Sequence, residues 1–148
     1  MIWARKNLSG FSLIEIVLVV AIVGLLTAIG APIYQSLSNI NELDVATNLL
    51  VQDLYRAQSY SRNVAHDDSW GVAINGQIIS LFEGASYAAR NAAFDDNYSV
   101  PGSISLSGSS QLVYAKLSGL PSGAASFNLS IPGKNRVVTV NPKGLVDY

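Results

Sequence analysis

Glu15 is the side chain whose chemistry most needs explaining, because it is a carboxylate inside an apolar stretch. Residues 16–31 read IVLVVAIVGLLTAIGA without a charge, and residues 11–33 are interrupted only by Ser12, Glu15, Thr27 and Pro32. A run of about 23 such residues is long enough to span a bilayer. Asp, Lys or Arg at the centre of a spanning helix costs about 2.5–3.5 kcal/mol on insertion scales, so an ionisable Glu15 inside the run should have a partner. No cation lies within the run. One would appear if the chain were cut after Gly10, since the new α-amino group of Phe11 would stand about 6 Å along a helix from Glu15. The distance and the direction of helical side chains favour pairing with a second copy over pairing within one chain.

Other residues offer less. His66 is the only histidine, which excludes a His-based metal cluster, and it sits in HDDSW, a polar turn between helix and sheet. A Ser-His-Asp arrangement would have to use it, and a helix-ending turn is the simpler reading. Asp67-Asp68 and Asp95-Asp96-Asn97 carry oxygens suited to Ca²⁺ but lack EF-hand spacing, so they read as solvated loop acids and no metal or cofactor is expected. There is no P-loop, no G-x-G-x-x-G and no G-x-S-x-G, so the chain is not expected to be an enzyme. Lys116, Lys134, Arg136 and Lys143 form at most a weak basic patch, and nucleic acid is not an expected partner. Of the aromatics, Trp70 reads as core, while Tyr87 and Tyr98 suit either core or exposed surface.

The 148 residues suit one folded domain. With 49% hydrophobic residues and 13% charged residues the chain is too apolar for disorder. The absence of cysteine excludes a disulfide scaffold, a zinc ribbon and a thiol enzyme. Arg5 and Lys6 precede the apolar run and the next charges after Glu15 are Glu42 and Asp44, which places the N-terminus in the cytoplasm and the body outside. No A-x-A-like site ends the run as in a secretory signal.

Beyond the run, Ile33, Leu37, Ile40, Leu43, Ala46, Leu50, Leu54, Ala57 and Val64 recur at three- and four-residue steps, predicting one helix from Phe11 to about Asn63. Pro32 removes a helical hydrogen bond, so a kink or unwound turn is expected across residues 30–33. From Trp70 the period becomes two. Strands are expected over 70–74 and 78–82 around an Asn75-Gly76 type I′ turn, then over 104–106, 112–117, 126–131, 136–140 and 145–147. Residues 132–135 read as a hairpin loop, 141–144 as a type I turn and 83–101 as a long irregular segment. The fold class is α+β: a long N-terminal helix, membrane-spanning in its first half, packed on one C-terminal antiparallel β-sheet.

Gly10-Phe11-Ser12-Leu13-Ile14-Glu15, after a short basic leader and before a continuous apolar run, resembles the leader of type IV prepilins and pseudopilins. The resemblance implies a pilin-like fold with a leader at 1–10, a transmembrane and filament-core helix at 11–35 and an extracytoplasmic domain at 36–148. It implies that a membrane prepilin peptidase cuts between Gly10 and Phe11 and methylates the Phe11 amine. It also implies that Glu15 pairs with the Phe11 amine of a neighbouring subunit, and that Gly24, Gly30 and Pro32 weaken the helix. Cleavage would take the basic count from 9 to 7 against 10 acidic residues, a net charge of −3. More weakly, residues 136–146 and 50–59 resemble H-type minor pseudopilins. The function implied is a subunit of a type IV pilus for adhesion, motility or DNA uptake. Its partners would be other copies, other pilins, the peptidase and a membrane assembly platform, and its location the cytoplasmic membrane and then a surface pilus. The alternatives are a minor pseudopilin of a type II secretion or competence machine, and a monomeric membrane-anchored binding domain.

Overall fold

The computed structural model describes residues 10–148, apart from the side chains of residues 29–33. It divides into two compact units, one ending at Leu37 and the other running Ser38–Tyr148. Both contain part of one helix, α1 (Leu13–Arg62).

In the first unit α1 has no polar face, because Val, Ile and Leu occupy every side of it. Twelve large apolar side chains from Phe11 to Leu26 are each 48–83% exposed in the single chain. The helix assignment continues through Gly24, Gly30 and Pro32, so the unwound turn expected across residues 30–33 is not present. A proline inside a helix loses one hydrogen bond but need not end it where the ladder continues on either side. The packing of the Pro32 ring lies outside the described residues. Among the described residues no helix is long and apolar enough to cross a membrane. The described side chains of the run, from Leu13 to Ala28, make about 24 Å of helix against roughly 30 Å of hydrocarbon.

In the second unit the helical stripe is buried where the period of 3.6 places it. Leu43, Ala46, Leu50, Leu54 and Ala57 are fully buried, and Val51 nearly so. Leu37, expected on the same stripe, is 56% exposed, and Val64 lies past the helix end with φ 53°. The buried stripe faces eight strands: β1 (Trp70–Asn75), β2 (Ile78–Glu83), β3 (Asp96–Ser99), β4 (Ser105–Gly108), β5 (Gln111–Tyr114), β6 (Ala125–Ile131), β7 (Lys134–Val140) and β8 (Val146–Asp147). Val72, Ile79, Leu81, Leu112 and Tyr114 of one sheet and Phe127, Leu129, Val138 and Val140 of another complete a single core with α1.

The strands form two antiparallel sheets rather than the one expected, in the orders β3-β2-β1-β5 and β4-β6-β7-β8. The division arises at Gly108, whose φ of 102° suits glycine and whose added Cβ would collide with the Ser126 carbonyl. Ser109 N–H still donates to Ser126 O (2.7 Å), whereas Ser110 O already accepts from Ile74 N–H (2.8 Å). Within three residues the chain has left one sheet and joined the other.

The turns differ in detail from expectation. Asn75 pairs with Ile78, so the first hairpin loop is Gly76-Gln77, with positive φ at Gly76 alone, the pattern of a type II′ turn instead of type I′. The Ile131–Lys134 pairing likewise shortens the second loop to Pro132-Gly133. β5 stops at Tyr114 instead of Leu117, because Leu117 turns back with φ 70° and donates its N–H to Ser61 O (2.9 Å). Residues 83–101 are ordered. Two 3-10 turns, Tyr87–Ala89 and Ala92–Phe94, lead into β3, a short polar edge strand with no hydrophobic alternation to announce it. This segment covers the outer face of β1 and β2. Tyr87 meets Phe82 edge to face at 5.5 Å, and Phe82 fills the space above Gly71, where a Cβ would come within 2.7 Å of its ring. Hence both faces of β1 are buried.

The end of α1 is fastened by polar side chains. Ser61 Oγ donates to Tyr114 O (3.0 Å) and accepts from Trp70 N–H (2.9 Å), tying the helix to β5 and β1. Gln58 Nε2 donates to Gly119 O and Gly144 O, holding two turns together. Arg56 bridges Asp53 (2.9 Å) on α1 and Asp96 (2.8 Å) on β3. Asp53 is buried, and burial pushes its carboxyl up from the usual range against the pull of Arg56. Tyr114 is fully buried, its hydroxyl has no partner among the described residues, and burial raises it to about 12.

Removing a partner from a buried polar group costs about 1–3 kcal/mol, whereas removing an already orphaned group costs nothing of that kind. Ser61→Ala is therefore expected to lose about 1–3 kcal/mol, and Tyr114→Phe to be neutral or stabilising by up to about 1 kcal/mol. Urea unfolding of the detergent-solubilised chain measures both, and the reverse ranking would refute the assignment. Asp53 gives a second test. With its folded pKa raised, the native state holds its proton after the unfolded chain has released its own near 3.8, so this group's contribution falls as pH rises from there through the raised value and is flat above it. Asp53→Asn removes that fall. The difference in melting temperature between variant and parent should move in the variant's favour from pH 3.5 to pH 7, and a constant difference would contradict the burial argument.

Candidate processing and assembly site

The residues that the sequence singles out lie at the start of α1. Gly10, Phe11 and Ser12 precede the helix, which begins at Leu13. Gly10 is exposed, and a Cβ added to it meets nothing within 4 Å among the described residues. Nothing described in this chain demands glycine there. Phe11 is 80% exposed.

Ser12 is the helix cap, a role the sequence reading does not assign to it. Its Oγ accepts from the Glu15 N–H (3.3 Å), and its carbonyl accepts from Glu15 N–H (3.1 Å) and Ile16 N–H (3.3 Å), closing the first turn. The signal was in the sequence: Ser12-Leu13-Ile14-Glu15 is the S-x-x-E spacing of a capping box, with an apolar residue on either side. Glu15 therefore occupies the third helical position, where the partial positive charge of the helix N-terminus favours a carboxylate by roughly 0.3–1 kcal/mol. Because Phe11 lies outside the helix, the 6 Å helical spacing to Glu15 expected from the sequence does not apply to the uncut chain.

The polar groups of the apolar run are unequal. Thr27 Oγ1 donates to both Val23 O and Gly24 O (3.0 Å each), so its hydroxyl is satisfied within the helix. Ser12 is used as the cap. Glu15 is exposed, and among the described residues no cationic group lies within 4 Å of its carboxylate. It remains the one polar side chain of the described run that a partner from elsewhere would complete. Gly24 lies in the helix with open space around it, while the surroundings of Gly30 and Pro32 lie outside the described residues.

The remaining candidates form ion pairs of the fold. His66 Nδ1 meets Glu83 Oε2 at 3.0 Å, with Phe94 against its ring at 4.2 Å. Its backbone has φ 54°, and Val64 and Asp67 beside it are also left-handed, so it marks a tight turn after the helix. Lys116 pairs with Asp67, Arg90 with Asp95 (2.7 Å) and Arg136 with Asp44 (2.9 Å). The carboxylates considered for Ca²⁺ are thus largely held by cations of the chain, and no group of three metal-ligating side chains occurs among the described residues. Two of the four basic residues of the suspected patch are neutralised in the same way. Trp70 is buried, its indole Nε1–H donating to Ala65 O (3.1 Å). Tyr98 packs half-buried on the core, and Tyr87 lies under the Arg90 guanidinium at 3.9 Å. An open groove of about 420 Å³, lined by Asp44, Thr47, Asn48, Arg136 and Tyr148, has its one cation engaged with Asp44.

Comparison with known proteins bears on the N-terminus. A family model described as the prokaryotic N-terminal methylation motif matches residues 5–31, which includes Gly10, Phe11 and Glu15. No curated protein and no solved structure matches the chain. The motif is one of structural subunits and implies processing by a prepilin peptidase and assembly into pili or pseudopili. From the basic residues through the capped start of α1 to the apolar run beyond it, the chain carries the leader signature of type IV pilins and pseudopilins.

Proposed function

We propose that this protein is a structural subunit of a type IV pilus, made as a single-pass membrane protein, cut between Gly10 and Phe11, methylated on the new amine and polymerised through α1. The observation that carries the reading is the methylation motif over residues 5–31, whose helical part, the start of α1, carries apolar side chains exposed on every side. Burying a large apolar side chain contributes about 1.5–3 kcal/mol. Even at half that value, twelve of them amount to roughly 10–20 kcal/mol, as much as the whole stability of an ordinary domain. Such a surface needs lipid before assembly and neighbouring helices after it.

Sequence length supports insertion, since residues 13–33 cover about 32 Å as a helix, enough for the hydrocarbon core. Arg5 and Lys6 put the leader on the cytoplasmic side, within reach of a peptidase there. In the filament, Glu15 would pair with the Phe11 amine of a neighbour. A subunit docked out of register would leave that carboxylate unpaired in an apolar core, which makes the pair a device for register more than for affinity. Gly24, Gly30 and Pro32 would lower the cost of local unwinding as helices crowd together, glycine alone by about 0.5–1 kcal/mol relative to alanine.

Shearing the cells and reading the mass and N-terminus of the protein in each fraction tests this. Abundant sheared protein beginning at methylated Phe11 is expected. Processed protein confined to the membrane would replace the pilus by a pseudopilus, and an intact Met1 leader in both fractions would overturn processing altogether. Glu15→Ala is expected to leave cleaved, stable protein in the membrane while sheared filaments fall by at least tenfold, a loss of about 1.4 kcal/mol or more per docking step. Normal filaments from that variant would refute assembly through Glu15.

A further inference from the structure

We infer that Ser12 is a positioning residue for the leader cut: by capping α1 it stops the helix one residue short of Phe11 and keeps the Gly10–Phe11 peptide out of the helical hydrogen-bond ladder. The inference rests on the processing proposed above and concerns what makes that bond cleavable.

Hydrolysis of the bond adds water to the Gly10 carbonyl carbon, the C–N bond to Phe11 breaks, Gly10 keeps the hydroxyl as a carboxyl and Phe11 leaves as an amine that takes up the proton. The attacking oxygen must reach the carbonyl, and a peptidase must place donors on the carbonyl oxygen where negative charge develops. Were α1 to begin two or three residues earlier, the Gly10 carbonyl would accept the Ile14 N–H, as the Ser12 carbonyl accepts the Ile16 N–H. Its oxygen would then be engaged and its carbon enclosed by the first turn. In the structure no backbone N–H among the described residues donates to the Gly10 or Phe11 carbonyl. Gly10 is exposed, with open space where a side chain would stand.

What holds the helix back is Ser12. An N-cap residue has non-helical backbone angles while its side chain adds an acceptor for an N–H of the first turn, here that of Glu15, which Ser12 Oγ shares with the Ser12 carbonyl. The need is real in this chain, because the residues beyond form a long continuous helix and between Ser12 and the rest of the leader stands no proline, only Phe11 and Gly10. An alanine at position 12 has no side-chain acceptor and the highest helix propensity, and so favours a helix that takes in Phe11 and the scissile peptide.

The test compares the full-length chain with Ser12→Ala, Ser12→Thr and Ser12→Asn in membranes containing the prepilin peptidase, reading the rate at which mass corresponding to residues 1–10 is lost. Threonine and asparagine also cap helices, and asparagine carries no hydroxyl. Ser12→Ala is expected to be cut about fivefold more slowly, the equivalent of a cap of about 1 kcal/mol, with Thr and Asn restoring the rate. Amide exchange of Glu15 in the detergent-solubilised uncut chain gives the second reading, expected to rise in the Ala variant and to stay low in the other two. Equal cleavage of all four proteins would overturn the inference, as would unchanged Glu15 exchange in the Ala variant. If Asn proves as slow as Ala while Thr is normal, the peptidase reads the hydroxyl directly and the cap is not the cause. Failure of the parent chain itself to be cut at Gly10–Phe11 would overturn the processing proposal instead, so the two failures are separable.

Discussion

A helix that is apolar on every side cannot remain in water, and most of what this chain does follows from that constraint. In the first unit every large side chain of the described run stands in the open, so the stretch is stable only where lipid or other helices surround it. Lipid and packed helices offer a similar environment to Val, Ile and Leu, and a helix can pass between the two at little cost. A carboxylate cannot, because its desolvation must be offset by a partner of opposite charge in whichever setting it occupies. In the proposed filament Glu15 would thereby convert an otherwise unspecific apolar surface into one with a preferred register. Under the proposed processing, the N-terminal end of the same helix would serve two demands, a start firm enough to order Glu15 and a scissile bond that stays outside, and Ser12 sits where both would be met.

The second unit solves a different problem. It has no cysteine, and its core is built by laying one buried stripe of α1 against two small sheets. Four-stranded sheets of short strands are weak by themselves, and here they are fastened to the helix by polar side chains near its C-terminal end. Ser61 and Gln58 reach backbone groups of β1, β5 and the turns at Gly119 and Gly144. Arg56 reaches β3, the edge strand that the rest of the sheet holds on one side only. Such contacts contribute modest net free energy, but leaving the buried groups around Ser61 without a partner would be costly, so they specify one arrangement over its neighbours. The orphaned hydroxyl of Tyr114 is an exception within the core.

Much of the fold and part of the site could be read from residue types. The stripe through Leu43, Ala46, Leu50, Leu54 and Ala57 was legible because a period of 3.6 sustained over many turns has no competing interpretation. The β1–β2 hairpin is legible as a pairing but its turn type is not, because Asn75-Gly76 fits type I′ chemistry while the register places Gly76 and Gln77 at the centre. β3 could not be seen, since Asp96, Asn97, Tyr98 and Ser99 pair along the edge with no buried face to impose alternation. Ser12 could have been found from its spacing to Glu15. The charge of Glu15 and its position as the third helical residue are separate signals, and only the second points to Ser12.

The amino-acid sequence by itself determined the leader signature, the apolar helix and the helix-then-strands order, because each is a local pattern whose meaning does not depend on distant residues. Tertiary structure alone decided that the strands part into two sheets at Gly108, that residues 84–95 fold over β1 and β2, and that Asp67 and Asp96 belong to ion pairs with Lys116 and Arg56. Each of those outcomes depends on which segments meet across the fold. An aspartate looks the same in sequence whether its nearest cation is a solvent ion or an arginine forty residues away, and only the packed chain brings the two within hydrogen-bonding distance.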